Sequence, residues 1–307
     1  MAKQDSISFF EFTNRFNNED ECREHLFKMR WPNGFKCPKC DSLSYYLIKK
    51  RKTYQCTECR YQASVTVGTI MERSHVALVK WFWAIYLVST DKRGHSATAL
   101  ERELGVTYKT AWYILQRIRT AMFDRDLDYM LDGFVEMDDA YFGGGDNGSE
   151  PDKPIKRGRG TTKTKAIVGL SLDKDKHPLF IKMEVVEKLD AGTIGGFADM
   201  NVVSGSVIST DAYSSYKQLE KDGFVHSPKV FNPKEDSEHL KWLHVIVSNA
   251  KAFISGTYHG IDRKHLHFYL SEFCYRFNRR FFLGELFNRL IFSCLDAERI
   301  TYAELTA

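Results

Sequence analysis

Two groups of residues in this 307-residue chain have the types and spacing of metal ligands. The first group is Cys37-x2-Cys40 and, after fifteen intervening residues, Cys56-x2-Cys59. Each pair predicts a tight turn that directs two sulfurs at one ion, and four thiolates at this spacing are typical of a closed, structural Zn²⁺ site. We therefore predict a zinc ribbon, with an iron–sulfur site or coincidentally spaced buried thiols as the alternatives.

The second group consists of carboxylates in strand-like segments. Asp138 and Asp139 lie inside the run VEMDDAYF, where period-two alternation places them on opposite faces. Asp211 ends a second run, in GSVISTDAYSSY, and its alternative role is to cap the following helix. A carboxylate in an apolar strand is costly unless a cation or hydrogen bonds neutralise it. Paired carboxylates on adjacent strands can hold two divalent ions ~3.5–4 Å apart for phosphodiester chemistry.

Short β-like runs would position these carboxylates. They are Phe134–Phe142, Ala166–Leu172, Leu179–Val186 and Ser206–Ser209. Between the first two, residues 143–165 are rich in glycine and basic residues and predict a mobile loop that can follow a DNA backbone. The residues of this loop that we expect to contact DNA are Lys156, Arg157, Arg159, Lys163 and Lys165. A second basic cluster with the same expectation is Arg276, Arg279 and Arg280.

The segment before the strands, from Val76 to Met122, has helical periodicity. A helix over Ala97–Leu104, a tight turn at Gly105-Val106 and a second helix from Thr107 predict a helix-turn-helix. The residues that would then face a DNA groove are Thr107, Tyr108, Lys109 and Thr110. The alternative is an ordinary helical hairpin with solvated basic residues.

Composition narrows the class of protein. Lys and Arg number 44 against 40 Asp and Glu, so the net charge is only +4 and a nucleic-acid surface must come from local clustering. The sequence has no apolar run of membrane-spanning length, and its start lacks the apolar core of a signal peptide. We therefore expect a cytoplasmic protein without a membrane partner, in which the seven cysteines are metal ligands or buried thiols rather than disulfides.

The motifs together resemble one family of proteins. The four cysteines, VEMDDAYFGG, STDAYSSY and GTYHGIDRKHLHFYLSEFCYRFNRR are similar to those of bacterial insertion-sequence transposases of the DDE superfamily, in the branch with an N-terminal zinc ribbon. The resemblance covers nearly the whole length. It implies an α/β ribonuclease-H-like catalytic domain, with a mixed sheet flanked by helices, that cleaves DNA and transfers strands with Mg²⁺ or Mn²⁺. By motif position, Asp138 is the first metal ligand and Asp211 the second.

The resemblance also implies partners. They are double-stranded DNA, both the terminal inverted repeats of the element and the target, and a second copy of the chain, because cutting two ends requires at least two active sites. It implies a location at the bacterial nucleoid. A DNA-binding repressor or domesticated relative that no longer cuts, and a sequence-independent nuclease of the same fold, are the competing interpretations.

The third ligand departs from the usual pattern of this family. In relatives, a helix before the G-T-Y-H run carries a Glu or Asn and, seven residues after that Glu or Asn, a Lys. The matching positions here are His244 and Lys251. Positions i and i+7 share one helical face, so both side chains can reach the same cleft. Imidazole binds divalent ions and favours Mn²⁺ over Mg²⁺ relative to a carboxylate. The alternatives for the third ligand are Glu238 and Glu235, and Lys251 is expected to contact a phosphate.

These motifs predict a multidomain chain. We expect an N-terminal arm at 1–28, the zinc ribbon at 29–70, the helical DNA-binding module at 71–130 and the catalytic domain at 131–307.

Overall fold

The computed structural model describes residues 7–143, 163–230 and 239–307. The chain forms two compact units: unit 1 runs up to Arg125 and includes Phe281–Ala307, and unit 2 is Asp126–Arg280. This division differs from the expected catalytic domain at 131–307, because the last 27 residues pack within unit 1. None of the helices among the described residues has the length and apolar character that a membrane crossing needs.

The helices and strands follow one another along the chain with these bounds. The sequence up to the basic loop has α1 (Phe9–Arg15), α2 (Glu19–Arg30), β1 (Tyr45–Ile48), β2 (Thr53–Cys56), β3 (Gln62–Ala63), α3 (Leu78–Thr90), α4 (Ala97–Leu104), α5 (Tyr108–Leu127) and β4 (Phe134–Phe142). After it come β5 (Thr164–Leu172), β6 (Pro178–Val186), α6 (Ala191–Asn201), β7 (Val207–Asp211), α7 (Gln218–Lys221), β8 (Val225–Lys229), α8 (Lys241–Thr257), α9 (Leu266–Asn278), α10 (Leu286–Asp296) and α11 (Tyr302–Thr306).

Unit 1 joins a small sheet to a helical core. Strands β1, β2 and β3 form an antiparallel sheet in that order, and β1 and β2 make a hairpin between the two cysteine pairs. Aromatic rings hold the helices together: Phe12 stacks on Tyr86 at 4.2 Å and meets the edge of Phe287 at 5.5 Å. Such ring pairs bury large apolar areas, and this explains why α10 packs with the N-terminal helices rather than with unit 2.

Helices α4 and α5 form where the sequence predicts two helices. The Ser96 hydroxyl accepts a hydrogen bond from the Ala99 N–H at 3.1 Å and begins α4. Gly105 ends it in the left-handed conformation, with φ 57° and ψ 50°, which a glycine adopts without steric cost. Leu100, Leu104 and Ala111 are buried. The role of this pair as a DNA-binding helix-turn-helix stays a prediction.

Unit 2 is built on a mixed five-stranded sheet in the order β6-β5-β4-β7-β8. Strand β5 is antiparallel to both β4 and β6, whereas β4, β7 and β8 are parallel to one another. Helix α6 covers one face, on which Val135, Ile167 and Ile208 pack against its residues. A Cβ at Gly169 would lie 2.7 Å from the Leu131 side chain, so this close packing requires a glycine.

A partly buried histidine in unit 1 predicts a loss of stability in acid. His25 packs against the Phe16 ring at 5.0 Å, and the Arg15 guanidinium donates a hydrogen bond to its Nδ1 at 3.3 Å. Burial, assisted by the Arg15 charge, lowers the pKa of His25 from 6.5 to about 4. Because the unfolded chain binds the proton more tightly, the stabilisation from neutral His25 is complete above pH ~6.5 and decreases as the pH falls towards 4.

We expect His25→Phe to reduce this pH dependence. The measurement is amide hydrogen exchange in α1 and α2 between pH 6.5 and 4.5, corrected for intrinsic exchange rates. An equal loss of protection in the variant and the wild type would assign the acid sensitivity to other groups.

Candidate metal sites

Asp138 and Asp211 lie on two parallel strands, each two residues beyond the last residue pair that joins β4 to β7. Phe134 pairs with Val207, Val135 with Ile208, and Glu136 with Ser209. The pairing ends there, and continuing the same offset for two more residues would bring Asp211 level with Asp138. Val135 and Ile208 lie in the core under α6, so by alternation both aspartates belong to the opposite face.

Helix α8 packs against this opposite face of β4 and brings His244 to Asp138. The His244 Nε2 lies 3.2 Å from the Asp138 Oδ2, and the Asp138 Oδ1 accepts the Asp139 N–H at 2.8 Å. His244, Ser248 and Lys251 form an exposed stripe on α8, whereas the residues Leu243, Val247, Ala250 and Ile254 are buried. The predicted shared face of His244 and Lys251 is therefore present.

The charges around Asp138 influence one another. The hydrogen bond with Asp138 raises the pKa of His244, although partial burial acts in the opposite direction. Burial lowers the pKa of Lys251, the positive charge of Lys163 lowers it further, and Asp138 opposes both effects. His244 and Lys251 thus lie within electrostatic range of Asp138, and Lys163 lies within that range of Lys251.

Glu136 is a member of this group that the sequence-based prediction missed. Its side chain is buried, with 6% of the residue exposed, and its Oε2 accepts the Leu243 N–H at 3.2 Å. Burial raises the pKa of Glu136, and the hydrogen bond from Leu243 partly offsets this. Its position two residues before Asp138, on the same face of an apolar strand, is the signal that could have identified it.

The ligand atoms of the candidate site are farther apart than those of a compact metal site. In the chain outside 1–6, 144–162 and 231–238, the groups of three or more ligands within 4.8 Å of one another are the four cysteines and Asp173, Asp175 and His177. Asp138, Asp211 and His244 do not form such a cluster, and the Asp211 Oδ1 accepts the Tyr213 N–H at 3.1 Å, as in an Asx turn.

The Asp173 group closes a hairpin. The Asp173 Oδ1 accepts the N–H groups of Asp175 and His177, at 2.9 and 2.8 Å, in the turn between β5 and β6. These hydrogen bonds account for the arrangement of the three residues without an ion.

The structure covers only part of the predicted DNA contacts. Three of the basic residues expected to contact DNA lie outside the described residues: Lys156, Arg157 and Arg159. The two alternatives for the third metal ligand, Glu235 and Glu238, lie outside them as well. Lys165 donates a hydrogen bond to the Glu187 carbonyl at 3.3 Å. In the helical module, the hydroxyls of Thr107 and Thr110 lie 2.9 Å apart, and the Lys109 Nζ lies 4.2 Å from the Tyr302 ring centre. Tyr108 is 53% exposed.

The arginine cluster of α9 makes contacts within the fold of unit 2. The Arg279 Nη1 lies 2.6 Å from the Asp126 Oδ1, and its guanidinium stacks on Tyr275 at 3.6 Å. Arg276 pairs with Glu272 at 3.7 Å, and Arg280 donates to backbone carbonyls of β6. These contacts occupy part of each guanidinium within unit 2, and the expectation that the three residues contact DNA stays a prediction.

The four cysteines have the geometry of a tetrahedral thiolate site. The Cys37 and Cys59 sulfurs are 3.5 Å apart, those of Cys40 and Cys56 are 3.6 Å apart, and all four lie within 4.8 Å of one another. Sulfurs that bind one Zn²⁺ at ~2.3 Å are separated by nearly this distance. Backbone N–H groups, first that of Cys59, donate to the Cys56 sulfur and lower its pKa to about 6, despite desolvation. The residues therefore fit Zn²⁺.

Removal of zinc is expected to unfold the ribbon locally. Besides the sulfurs, the ribbon has an aromatic cluster in which Phe27, Phe35 and Tyr45 surround Tyr54, and this is a small core for its size. We expect a chelator to increase amide hydrogen exchange over residues 30–65 while unit 2 stays protected. The same loss of protection throughout β4, β5 and β6 would contradict this result.

Family models and relatives agree with these groups of residues. An ISXO2-like transposase domain matches residues 130–278, and a transposase zinc-ribbon domain matches residues 17–62. An uncharacterized protein in the transposable element ISH50 of Halobacterium salinarum is 33% identical over 175 residues, which are 54% of this chain and 55% of that protein. The chain thus spans about half the length of this curated relative.

Solved structures show more distant similarities. A chain of the simian T-cell lymphotropic virus intasome is 12% identical, with a TM-score of 0.30 over 61% of this chain and 66% of that one. The Mos1 strand transfer complex is 10% identical, with a TM-score of 0.25 over 72% and 78%. These scores are too low to support an argument, whereas the two domain matches lie in the expected order along the sequence. The chain therefore belongs to the DDE-type transposases of the IS1595 kind, which carry a zinc ribbon before the transposase domain.

Proposed function

We propose that this chain is a DNA transposase that cleaves the ends of an insertion sequence and joins them to target DNA with the help of divalent metal ions. The observation that carries the proposal is the contact of His244 with Asp138 at 3.2 Å, on a strand that pairs in parallel with the strand that ends at Asp211. Family membership supports the reaction class, and the strand order β6-β5-β4-β7-β8, with three antiparallel and then two parallel strands, supports a ribonuclease-H-like catalytic domain.

The residues of the site suit phosphodiester chemistry. Asp138, Asp211 and His244 would hold Mg²⁺ or Mn²⁺, which stabilises the charge on the attacking and leaving oxygens when bound. The three groups belong to strands β4 and β7 and to helix α8, and their side chains would have to move from their present contacts to bind one ion. Lys251 and Lys163, which lie close enough for the charge of Lys163 to lower the pKa of Lys251, would hold a phosphate beside it.

DNA binding is expected to draw on several basic surfaces. Residues 29–70 contain eight Lys and Arg against two acidic residues, so the net charge is +6 before the zinc thiolates are counted. Lys49 and Lys50 are exposed at the turn between β1 and β2, which adds the ribbon to the helical module and the basic loop as a site of phosphate contacts. Two copies of the chain would bind a pair of element ends.

The affinity for DNA is expected to depend strongly on salt. If about six phosphate contacts form, the affinity falls by roughly three decades between 50 and 200 mM salt. Replacing both Lys49 and Lys50 with Ala should lower the slope of this dependence by about two. Lys28→Ala is the control, since Lys28 is in an ion pair with Glu24 on α2. Fluorescence anisotropy with a labelled duplex measures both slopes, and a complex insensitive to salt would contradict this account.

The proposed activity has a direct test. A labelled, pre-cleaved element end is incubated with the full-length protein, supercoiled plasmid and either Mg²⁺ or Mn²⁺. We expect the 3′ end to be joined covalently to the plasmid, which a gel detects as labelled open-circular or linear DNA. Binding of the end without joining in either metal would favour a repressor that no longer cuts, and cleavage of any duplex without joining would favour a nuclease.

A further inference from the structure

Helix α8, which carries His244 and Lys251, begins without a side-chain cap of its own. Its first flanking residue is Leu240, which has a positive φ of 52° and provides no hydrogen bond from its side chain. The first turn of α8 also contains no acidic residue. The N–H groups of a first helical turn have no partners within the helix, so this end needs an acceptor from elsewhere.

Glu136 supplies that acceptor from strand β4. Its Oε2 accepts the Leu243 N–H at 3.2 Å, across 107 positions of sequence, whereas the next N–H, that of His244, already bonds to the Leu240 carbonyl at 3.0 Å. A carboxylate at a helix N-terminus is further favoured by the helix dipole. The burial of Glu136 is costly for a charged group, and the hydrogen bond to the helix compensates part of this cost.

Two neighbouring links therefore connect β4 to the start of α8. Glu136 contacts Leu243, and Asp138, two residues further along the strand, contacts His244, the next residue of the helix. The second link is made by the two groups that would hold the ion. When Asp138 and His244 coordinate an ion instead of each other, their hydrogen bond is lost, and the link through Glu136 remains.

We propose that Glu136 is a positioning residue of the metal site: it fixes the start of α8 against β4, so that His244 stays within coordination reach of Asp138. This inference rests on the proposed function, and it requires the acceptor oxygen of Glu136 rather than coordination of the ion by its carboxylate. Groups that orient metal ligands commonly change metal affinity by about 10–100-fold when removed.

The test compares Glu136→Gln, which keeps an acceptor oxygen, with Glu136→Met, which has a similar size and no comparable acceptor. Titration of the full-length protein with Mn²⁺, followed by electron paramagnetic resonance, gives the half-saturating concentration of the ion. We expect this concentration to rise about tenfold or more in Glu136→Met and to stay near the wild-type value in Glu136→Gln. DNA affinity should be the same in all three proteins, because a general loss of folding would lower it.

A double-variant comparison separates positioning from coordination. If Glu136 acts through His244, Glu136→Met should have little further effect on Mn²⁺ binding when His244 is already alanine. An equal loss of Mn²⁺ binding in Glu136→Gln and Glu136→Met would overturn the proposal and make the carboxylate a ligand. Wild-type affinity in Glu136→Met would overturn it as well.

Hydrogen exchange at the Leu243 amide tests the link even if the protein proves to be inactive. We expect this amide to be protected in the wild type and in Glu136→Gln, and to exchange faster in Glu136→Met, while the amides of the middle of α8 are unchanged. A protected Leu243 amide in Glu136→Met would show that the helix start is held by other contacts. Absence of Mn²⁺ binding by the wild-type protein would instead count against the proposed function. The exchange at the Leu243 amide would still decide whether Glu136 holds the start of α8.

Discussion

Replacement of Asp138 with asparagine is expected to abolish metal-dependent strand joining, with a rate at least about 1000-fold below that of the wild type. This corresponds to a loss of about 4 kcal/mol of transition-state stabilisation. Asparagine keeps the size and a carbonyl oxygen of the side chain, but it removes the negative charge that would bind the ion. It also weakens the contact that now places His244 at 3.2 Å. The joining assay with a pre-cleaved element end measures the effect.

Asp139 provides the matched control for this experiment. It has the same side chain and is the next residue of β4, but strand alternation gives it the opposite face, where Met137 packs in the core. Asp139→Asn is therefore expected to join strands at a rate close to that of the wild type, and both variants should bind DNA equally. A severe loss in Asp139→Asn together with an active Asp138→Asn would mean that the register of β4 has been assigned to the wrong residue.

Much of the five-stranded sheet could be predicted because its strands are apolar runs with clear ends. The predicted strand Phe134–Phe142 has the same bounds in the structure, and the next three strands agree within two residues at each end. Strand β8 was missed. Its sequence, VHSPK, is short, contains a proline and is largely exposed at the edge of the sheet, so it has neither apolar periodicity nor a strong β propensity.

Contacts between residues far apart in the sequence could not be predicted from sequence patterns. Arg279 belongs to a basic run that a sequence-based argument assigns to solvent or to DNA, but its partner is Asp126, 153 positions earlier. The aromatic contact between Phe12 and Phe287 likewise places α10 in unit 1. Neither pair has a local signal, because the charge or ring of each residue is equally compatible with an exposed position.

The candidate metal site could be predicted only in part: its residues and the faces they share follow from sequence patterns, but the contacts between them do not. The alternation within β4 correctly assigned Asp138 and Asp139 to opposite faces of the strand. Helical spacing placed His244 and Lys251 on one stripe of α8. The contact between His244 and Asp138 joins residues 106 positions apart, and only the resemblance to a family indicated it in advance. The role of Glu136 was not foreseen, because it depends on where the first turn of α8 lies relative to β4.

Exchange of His244 for glutamate is expected to shift the metal preference of strand joining towards Mg²⁺. Imidazole is a softer ligand than carboxylate and binds Mn²⁺ relatively better, while Mg²⁺ prefers oxygen ligands. The wild-type protein should therefore have a higher ratio of Mn²⁺-supported to Mg²⁺-supported rates than His244→Glu. His244→Ala should lose activity in both metals, since only Asp138 and Asp211 would remain as ligands. Initial joining rates at saturating concentrations of each metal give the ratio.

Ser248→Ala is the control for the effect of changing α8 itself. Ser248 lies one turn after His244 on the same exposed stripe, and its substitution should leave both the rate and the metal ratio unchanged. Full activity in His244→Ala would assign the third ligand to an acid upstream, and the same assay with Glu235→Gln and Glu238→Gln would identify it. If His244→Glu is active and has the same ratio of Mn²⁺-supported to Mg²⁺-supported rates as the wild type, the side chain at this position binds no ion. Imidazole and carboxylate ligands differ in their preference for Mg²⁺, so as ligands they would give different ratios.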